Sequence, residues 1–140
     1  MKIVTNSEQE TLDFARKFVL ELKGGEVFLL EGNLGAGKSV FVRGVAMGLG
    51  VKKNITSPTF VIMKVYDVAK HDKIKKLVHI DAYRVEADDL FQIGLEEYLN
   101  DPETVVFIEW GEKVAKDLKK YKFKTIKIEH QDNLREINIQ

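Results

Sequence analysis

Eight consecutive residues, Gly32-Asn33-Leu34-Gly35-Ala36-Gly37-Lys38-Ser39, satisfy every fixed position of the pattern G-x-x-x-x-G-K-[ST]. The chemistry that suits this spacing is the holding of a nucleoside triphosphate together with Mg²⁺. Glycines let the backbone curl until its N–H groups point at phosphate oxygens, an approach that a Cβ would obstruct. Lys38 has the type and the place to reach the β- and γ-phosphates, and the Ser39 hydroxyl to ligate Mg²⁺. Val40 continues the nucleotide-binding segment into a helix that starts near Lys38, whose N-terminal dipole end adds positive potential at the same spot. The apolar run Val27-Phe28-Leu29-Leu30 stands directly before the loop and supplies the strand that the pattern requires. Lys38 itself is expected to be exposed in the loop.

An ion riding on phosphates wants a carboxylate, directly or through water, and two candidates compete for that place. Leu77-Val78-His79-Ile80-Asp81 and Val105-Val106-Phe107-Ile108-Glu109 are both apolar runs that end in acid. An acid at the carboxyl edge of a strand is where ligands of open α/β sheets bind. The plainer reading of either is a solvent-facing turn acid, which two such ends beside one phosphate loop make less favoured. His79, inside an apolar run, reads as a core histidine in preference to a catalyst.

The elements that must position these residues alternate along the chain. Ser7 with Glu10 forms a capping box opening a helix with Leu12, Ala15, Val19 and Leu22 at helical spacing, and Gly24-Gly25 stops it. Val27 to Leu30 is continuously apolar, as a strand buried in a parallel sheet should be. A helix then runs from about Lys38 to Leu49, where Gly44 and Gly48 would allow close approach to the sheet. Phe60 to Tyr66 and Leu77 to Ile80 read as strands joined by the turn-like Lys70-His71-Asp72-Lys73, an antiparallel hairpin. Asp88 or Asp89 is placed to cap a helix through Tyr98. Val105 to Ile108 is a further buried strand, Glu112 to Leu118 a short helix, and Lys122 to Glu129 and Arg135 to Ile139 are strands around Gln131-Asp132-Asn133. The expected fold is α/β, a three-layer domain of the P-loop NTPase type with a mixed, partly parallel sheet and an antiparallel edge.

Composition bounds the rest. The chain has 140 residues, enough for one domain with a sizeable core and not for a second. Its 22 basic and 22 acidic side chains cancel, so net charge forces neither a nucleic-acid nor a membrane partner. The layout is uneven: ten acids face only Arg84 between Asp81 and Glu112, and seven lysines face only Asp117 between Lys113 and Lys127. A solvated face is the favoured reading of such runs, over a docking surface. The absence of cysteine excludes disulfides, thiolate catalysis and cysteine-ligated metal. No apolar run has membrane-spanning length and no signal-peptide core opens the chain, so a cytoplasmic protein without a membrane partner is expected.

Four further segments, read together with the loop, resemble one known family. Ser57-Pro58-Thr59-Phe60, His79-Ile80-Asp81-Ala82-Tyr83-Arg84, Gly94-Leu95-Glu96 and Glu109-Trp110 stand in the order and approximate spacing of the TsaE family, also called YjeE. The likeness covers the chain from Ser7 to Trp110, while the part after Lys113 contributes little. It implies a small Mg-dependent ATPase, slow without partners, needed for the threonylcarbamoyl modification of adenosine 37 in tRNA. It implies action on TsaD-like and TsaB-like proteins, with direct tRNA contact left open.

In residue terms the resemblance places Mg²⁺ on Ser39 and Glu109, and Lys38 against the γ-phosphate. It makes Asp81 the second essential carboxylate and Thr59 a switch residue near the γ-phosphate or its metal; the plainer reading of Ser57-Pro58-Thr59 is a strand-entry turn. It also puts residues of the N-terminal turn, including Thr11, beside the adenine. Trp110 reads as a packing residue in preference to a partner contact. No N-K-x-D element is present to read guanine, which favours ATP over GTP. Two other readings stand beside this one: a small-molecule or nucleotide kinase, disfavoured because only Arg16, Arg43 and Arg84 precede Arg135, and a module that binds ATP without hydrolysing it.

Overall fold

A computed structural model describes residues 1–33, 35–53 and 62–140. Leu34, the Ser57-Pro58-Thr59-Phe60 motif and the start of the strand expected from Phe60 lie outside the described residues. Strands β1 (Lys2–Thr5), β2 (Val27–Glu31), β3 (Met63–Asp67), β4 (Lys76–Asp81), β5 (Thr104–Glu109), β6 (Lys124–Gln131) and β7 (Leu134–Ile139) form one sheet in the order β1-β7-β6-β2-β5-β4-β3. Pairing is parallel from β6 through β2 and β5 to β4, and antiparallel for β4 with β3, β6 with β7 and β7 with β1. The mixed sheet is as expected, with an antiparallel margin on both sides in place of one. The edge strand β1 adds to the expected set; it is short, and of its four residues only Thr5 is buried.

Period-two alternation divides the strands between two apolar layers. Phe28, Leu30, Leu77, Val105 and Phe107 pack on one face with helices α1 (Glu8–Phe18) and α2 (Lys38–Gly48). Val27, Leu29, Val78, Ile80, Val106 and Ile108 pack on the other with α3 (Ala87–Gln92), α4 (Leu95–Leu99) and the 3-10 turns Gly111–Lys113 and Ala115–Leu118. The connections leaving β2 and β5 therefore pass on opposite faces, and the crevice between two such strands is where open α/β sheets bind ligands.

Local chemistry explains the boundaries. The Ser7 hydroxyl accepts from the Glu10 N–H at 3.1 Å, while the Glu10 carboxylate accepts from Asn6 N–H at 2.7 Å, one residue earlier than a standard capping box. The single helix expected through Tyr98 is two, because Gly94 at φ 99° interrupts it. Its N-cap is Glu86, whose N–H donates to Asp89 at 2.9 Å, so Asp89 closes the turn from inside the helix. The helix expected from Glu112 to Leu118 is the pair of 3-10 turns.

Gly44 and Gly48 face α1 and not the sheet. A Cβ at Gly44 would lie 2.6 Å from Ala15 Cβ and 2.8 Å from the Leu12 carbonyl oxygen, and one at Gly48 2.6 Å from the Arg16 carbonyl oxygen. Bare backbone lets the two helices touch, and this contact fixes the direction in which α2 leaves the loop. Gly44→Ala is expected to cost about 1–3 kcal/mol of stability by overpacking, read as a fall in the urea midpoint. An unchanged midpoint would mean that the helices part freely.

Candidate functional site

The glycine-rich loop joins β2 to α2, and two of its glycines do work that other residues do poorly. Gly37 caps α2 at φ 105°, and Gly32, at φ 151°, would bring a Cβ to 2.4 Å from the Ile128 carbonyl oxygen of β6. The loop thus lies tight against the sheet, and the orphan N–H groups of α2 open at its carboxyl edge. Parallel register brings Asp81 of β4 beside Glu109 of β5, and Glu109 beside Leu30 of β2, so loop and carboxylates share one edge.

They line one cleft of about 620 Å³. Gly35, Gly37, Lys38, Ser39 and Val40 enter it from the loop and α2, with Asp81 and Glu109 opposite. Gly32, Asn33 and Ala36 instead border an adjoining groove along the end of β6. Thr11 is not brought to the cleft: it is fully buried, and its hydroxyl lies 2.7 Å from that of Thr5, tying α1 to β1. The inward face of α1 decides this, and it is Glu8, on the outer side of the first turn, that borders the cleft while pairing with Arg43 at 2.6 Å. Thr59 lies outside the described residues.

The Ser39 hydroxyl sits 3.2 Å from each carboxylate oxygen of Glu109. Glu109 is only 4% exposed and its Oε2 is 2.5 Å from His79 Nε2. Asp81 is more open, and its Oδ1 accepts from the Tyr83 N–H at 2.9 Å.

Lys38 corrects the expectation of an exposed loop lysine, being 5% exposed. Its ammonium donates to the Gly32 carbonyl at 2.5 Å and stands 3.5 Å from the centre of the Trp110 ring. Burial pushes the Lys38 ammonium below its ordinary pKa, while the carboxylates of Glu109, Glu112 and Asp81 pull the other way. A desolvated cation held among carbonyl, ring and acids gains from a phosphate anion brought within reach.

Trp110 does pack, as the plainer reading held: it joins the second apolar layer and meets the Tyr83 ring at 4.8 Å. Its contact with Lys38 joins residues far apart in the sequence and leaves no local signal there. The backbone at Trp110 takes φ 61°, uncommon outside glycine, and this turns the ring back over the loop. Arg135 was also missed. It reaches the cleft from β7, where its Cδ and Nε lie 3.8 Å from the Cβ position of Gly37, and only the pairing of β7 with β6 puts it there. Arg84 borders the cleft from beyond β4, so Lys38, Arg84 and Arg135 bring positive charge to the cleft that the carboxylates also line.

A sequence profile described as "Threonylcarbamoyl adenosine biosynthesis protein TsaE" matches residues 5–137. The chain belongs to the TsaE family. The "tRNA threonylcarbamoyladenosine biosynthesis protein TsaE" of Treponema pallidum is 41% identical over 122 residues, 86% of either chain. The one from Bacillus subtilis is 36% identical over 137 residues, 98% of this chain and 83% of its own. The solved structure of Bacillus subtilis YdiB superposes with a TM-score of 0.73 at 29% identity, covering 99% of this chain and 83% of that one. Family and fold therefore agree. Among the described residues no helix is long and apolar enough to cross a membrane.

Proposed function

We propose that this chain binds ATP with Mg²⁺ and hydrolyses it, slowly when alone, in the service of the threonylcarbamoyl modification of adenosine 37 in tRNA. It acts on TsaD-like and TsaB-like proteins in the cytoplasm. The observation that carries the nucleotide reading is the meeting of Ser39 and Glu109 at 3.2 Å, across 70 residues of chain, at the foot of a phosphate-type loop. Membership of a family described as acting in threonylcarbamoyl adenosine biosynthesis supports the pathway.

The donor set fits the ion. Mg²⁺ takes oxygen ligands and completes its shell with substrate phosphates and water. Ser39 and Glu109 offer such oxygens, and among the described residues no group of three or more His, Cys, Asp or Glu side chains forms a metal cage of its own. Held by Ser39 and Glu109, such an ion would supply positive charge to offset that of the phosphates. Lys38 exchanges the Gly32 carbonyl for a phosphate oxygen and so favours the charge that shifts in transfer. Asp81, anchored by the Tyr83 N–H through one oxygen, keeps the other to orient the attacking water. Arg84 and Arg135 add positive potential around the phosphates.

Phosphate release measured first with the chain alone and then with TsaD-like and TsaB-like proteins tests the reading. A slow basal rate that rises with the partners is expected, together with recovery of the TsaD-like protein that differs between ATP and ADP. No ATP binding would overturn the nucleotide reading, and equal recovery in both states would overturn its coupling to the partners. Thr59→Ala is expected to reduce ATP affinity far less than Lys38→Ala while losing most partner-stimulated hydrolysis. Full tRNA modification by that variant would make Thr59 a turn residue.

A further inference from the structure

His79 stands on β4 two residues before Asp81, on the strand face that also carries Leu77 and looks toward α2. It is fully buried, and its Nε2 meets Glu109 Oε2 at 2.5 Å. Its Nδ1 is equally buried and has no hydrogen-bond partner among the described residues. A histidine kept only for packing would leave both ring nitrogens at a loss, and an apolar side chain would fill the same space without that cost. Here one nitrogen is spent on the very carboxylate that faces Ser39. An ionised carboxylate only accepts, so toward Glu109 as a carboxylate it is Nε2 that supplies the proton of this bond.

We propose that His79 is the positioning residue of the site: through Nε2–H it holds Glu109 by Oε2, so that the carboxylate is presented to Ser39 and to the ion in one orientation. The proposal rests on the Mg²⁺-ATP reading of the cleft. Glu109 needs such a hold. A glutamate turns about several side-chain bonds, and the Ser39 hydroxyl, at 3.2 Å from both oxygens, favours neither. The bond from His79 selects Oε2 and leaves Oε1 less encumbered. Hydrogen-bonded partners behind metal ligands are worth about 10–100-fold in metal affinity. His79 touches neither nucleotide nor ion in this scheme and acts only through Glu109.

The test compares His79→Leu, which removes the donor, with His79→Gln, whose side-chain amide can stand in for Nε2–H. ATP binding, followed through the fluorescence of the single tryptophan, Trp110, is titrated with and without Mg²⁺. His79→Leu is expected to need about 10–100-fold more Mg²⁺ for the same effect, with Mg²⁺-free ATP affinity unchanged, and His79→Gln to stay within a few-fold of the parent chain. In the nucleotide-free chain, nitrogen NMR of the ring should show Nε2 protonated. A His79→Leu variant with the parent's Mg²⁺ dependence, a loss shared equally by Mg²⁺-free binding, or a ring protonated at Nδ1 alone would each overturn the positioning role. Should His79→Leu fail to fold, His79→Asn replaces it, since its shorter amide does not reach Glu109. If the parent chain binds ATP without regard to Mg²⁺, the Mg²⁺-ATP reading itself falls, and the positioning role with it. A Mg²⁺-sensitive parent beside an equally sensitive variant removes the positioning role alone.

Discussion

Replacing Lys38 by alanine is expected to weaken ATP binding by about thirtyfold to a few thousandfold while the chain still folds. Removing one partner of a desolvated charge-to-charge contact costs about 2–5 kcal/mol, and Lys38 is the buried cation nearest the loop's own carbonyls. Calorimetry of the folded variant measures the loss, and an unchanged affinity would remove the loop from the nucleotide site. Fold and affinity are separable because, among the described residues, the direct contacts of the ammonium in the free chain are the Gly32 carbonyl and the Trp110 ring.

The same residue gives a pH signature. Its pKa in the folded chain lies below the ordinary 10.5. Between those two values the unfolded chain holds a proton that the folded chain has released, so folding stability rises with pH across that window. Below the window the buried charge is a constant penalty. The urea midpoint of the nucleotide-free parent should therefore gain on that of Lys38→Met, which keeps the side chain's length, as pH approaches 10.5. The opposite trend would mean that the neighbouring carboxylates, and not burial, govern the group.

The second large effect separates the two carboxylates. Asp81→Ala is expected to lower hydrolysis by about 10²–10⁴-fold, the range for a lost acid–base or water-orienting group, with ATP affinity changed little. Glu109→Ala should instead raise the Mg²⁺ concentration needed, and added Mg²⁺ should recover part of its activity. The difference follows from position: the two are neighbours in register, yet only Glu109 meets the Ser39 hydroxyl, and Asp81 is bound to the backbone of Tyr83. Turnover titrated with Mg²⁺ decides. Recovery of Asp81→Ala and not of Glu109→Ala would exchange the two roles.

What the sequence determined by itself is what short spans of chain encode. The loop from Gly32 to Ser39 is continuous, its glycines answer to local backbone angles, and the strand before it and helix after it follow from apolar patterning. The acids closing β4 and β5 were visible for the same reason, since each ends its own apolar run. Tertiary structure decided everything that depends on which element lies beside which. Apolar spacing marks a buried face without naming the partner, so Gly44 and Gly48 read as facing the sheet whereas they meet α1. It cannot tell that Lys38 is covered by a tryptophan 72 positions further on, because that cover needs the left-handed turn at Trp110. Nor can it bring Arg135 to the loop before the order β7-β6-β2 exists. His79 is the sharpest case: a histidine in an apolar strand reads as core, and it is core, but the register of β4 against β5 and their shared face turn its one bonded nitrogen onto Glu109.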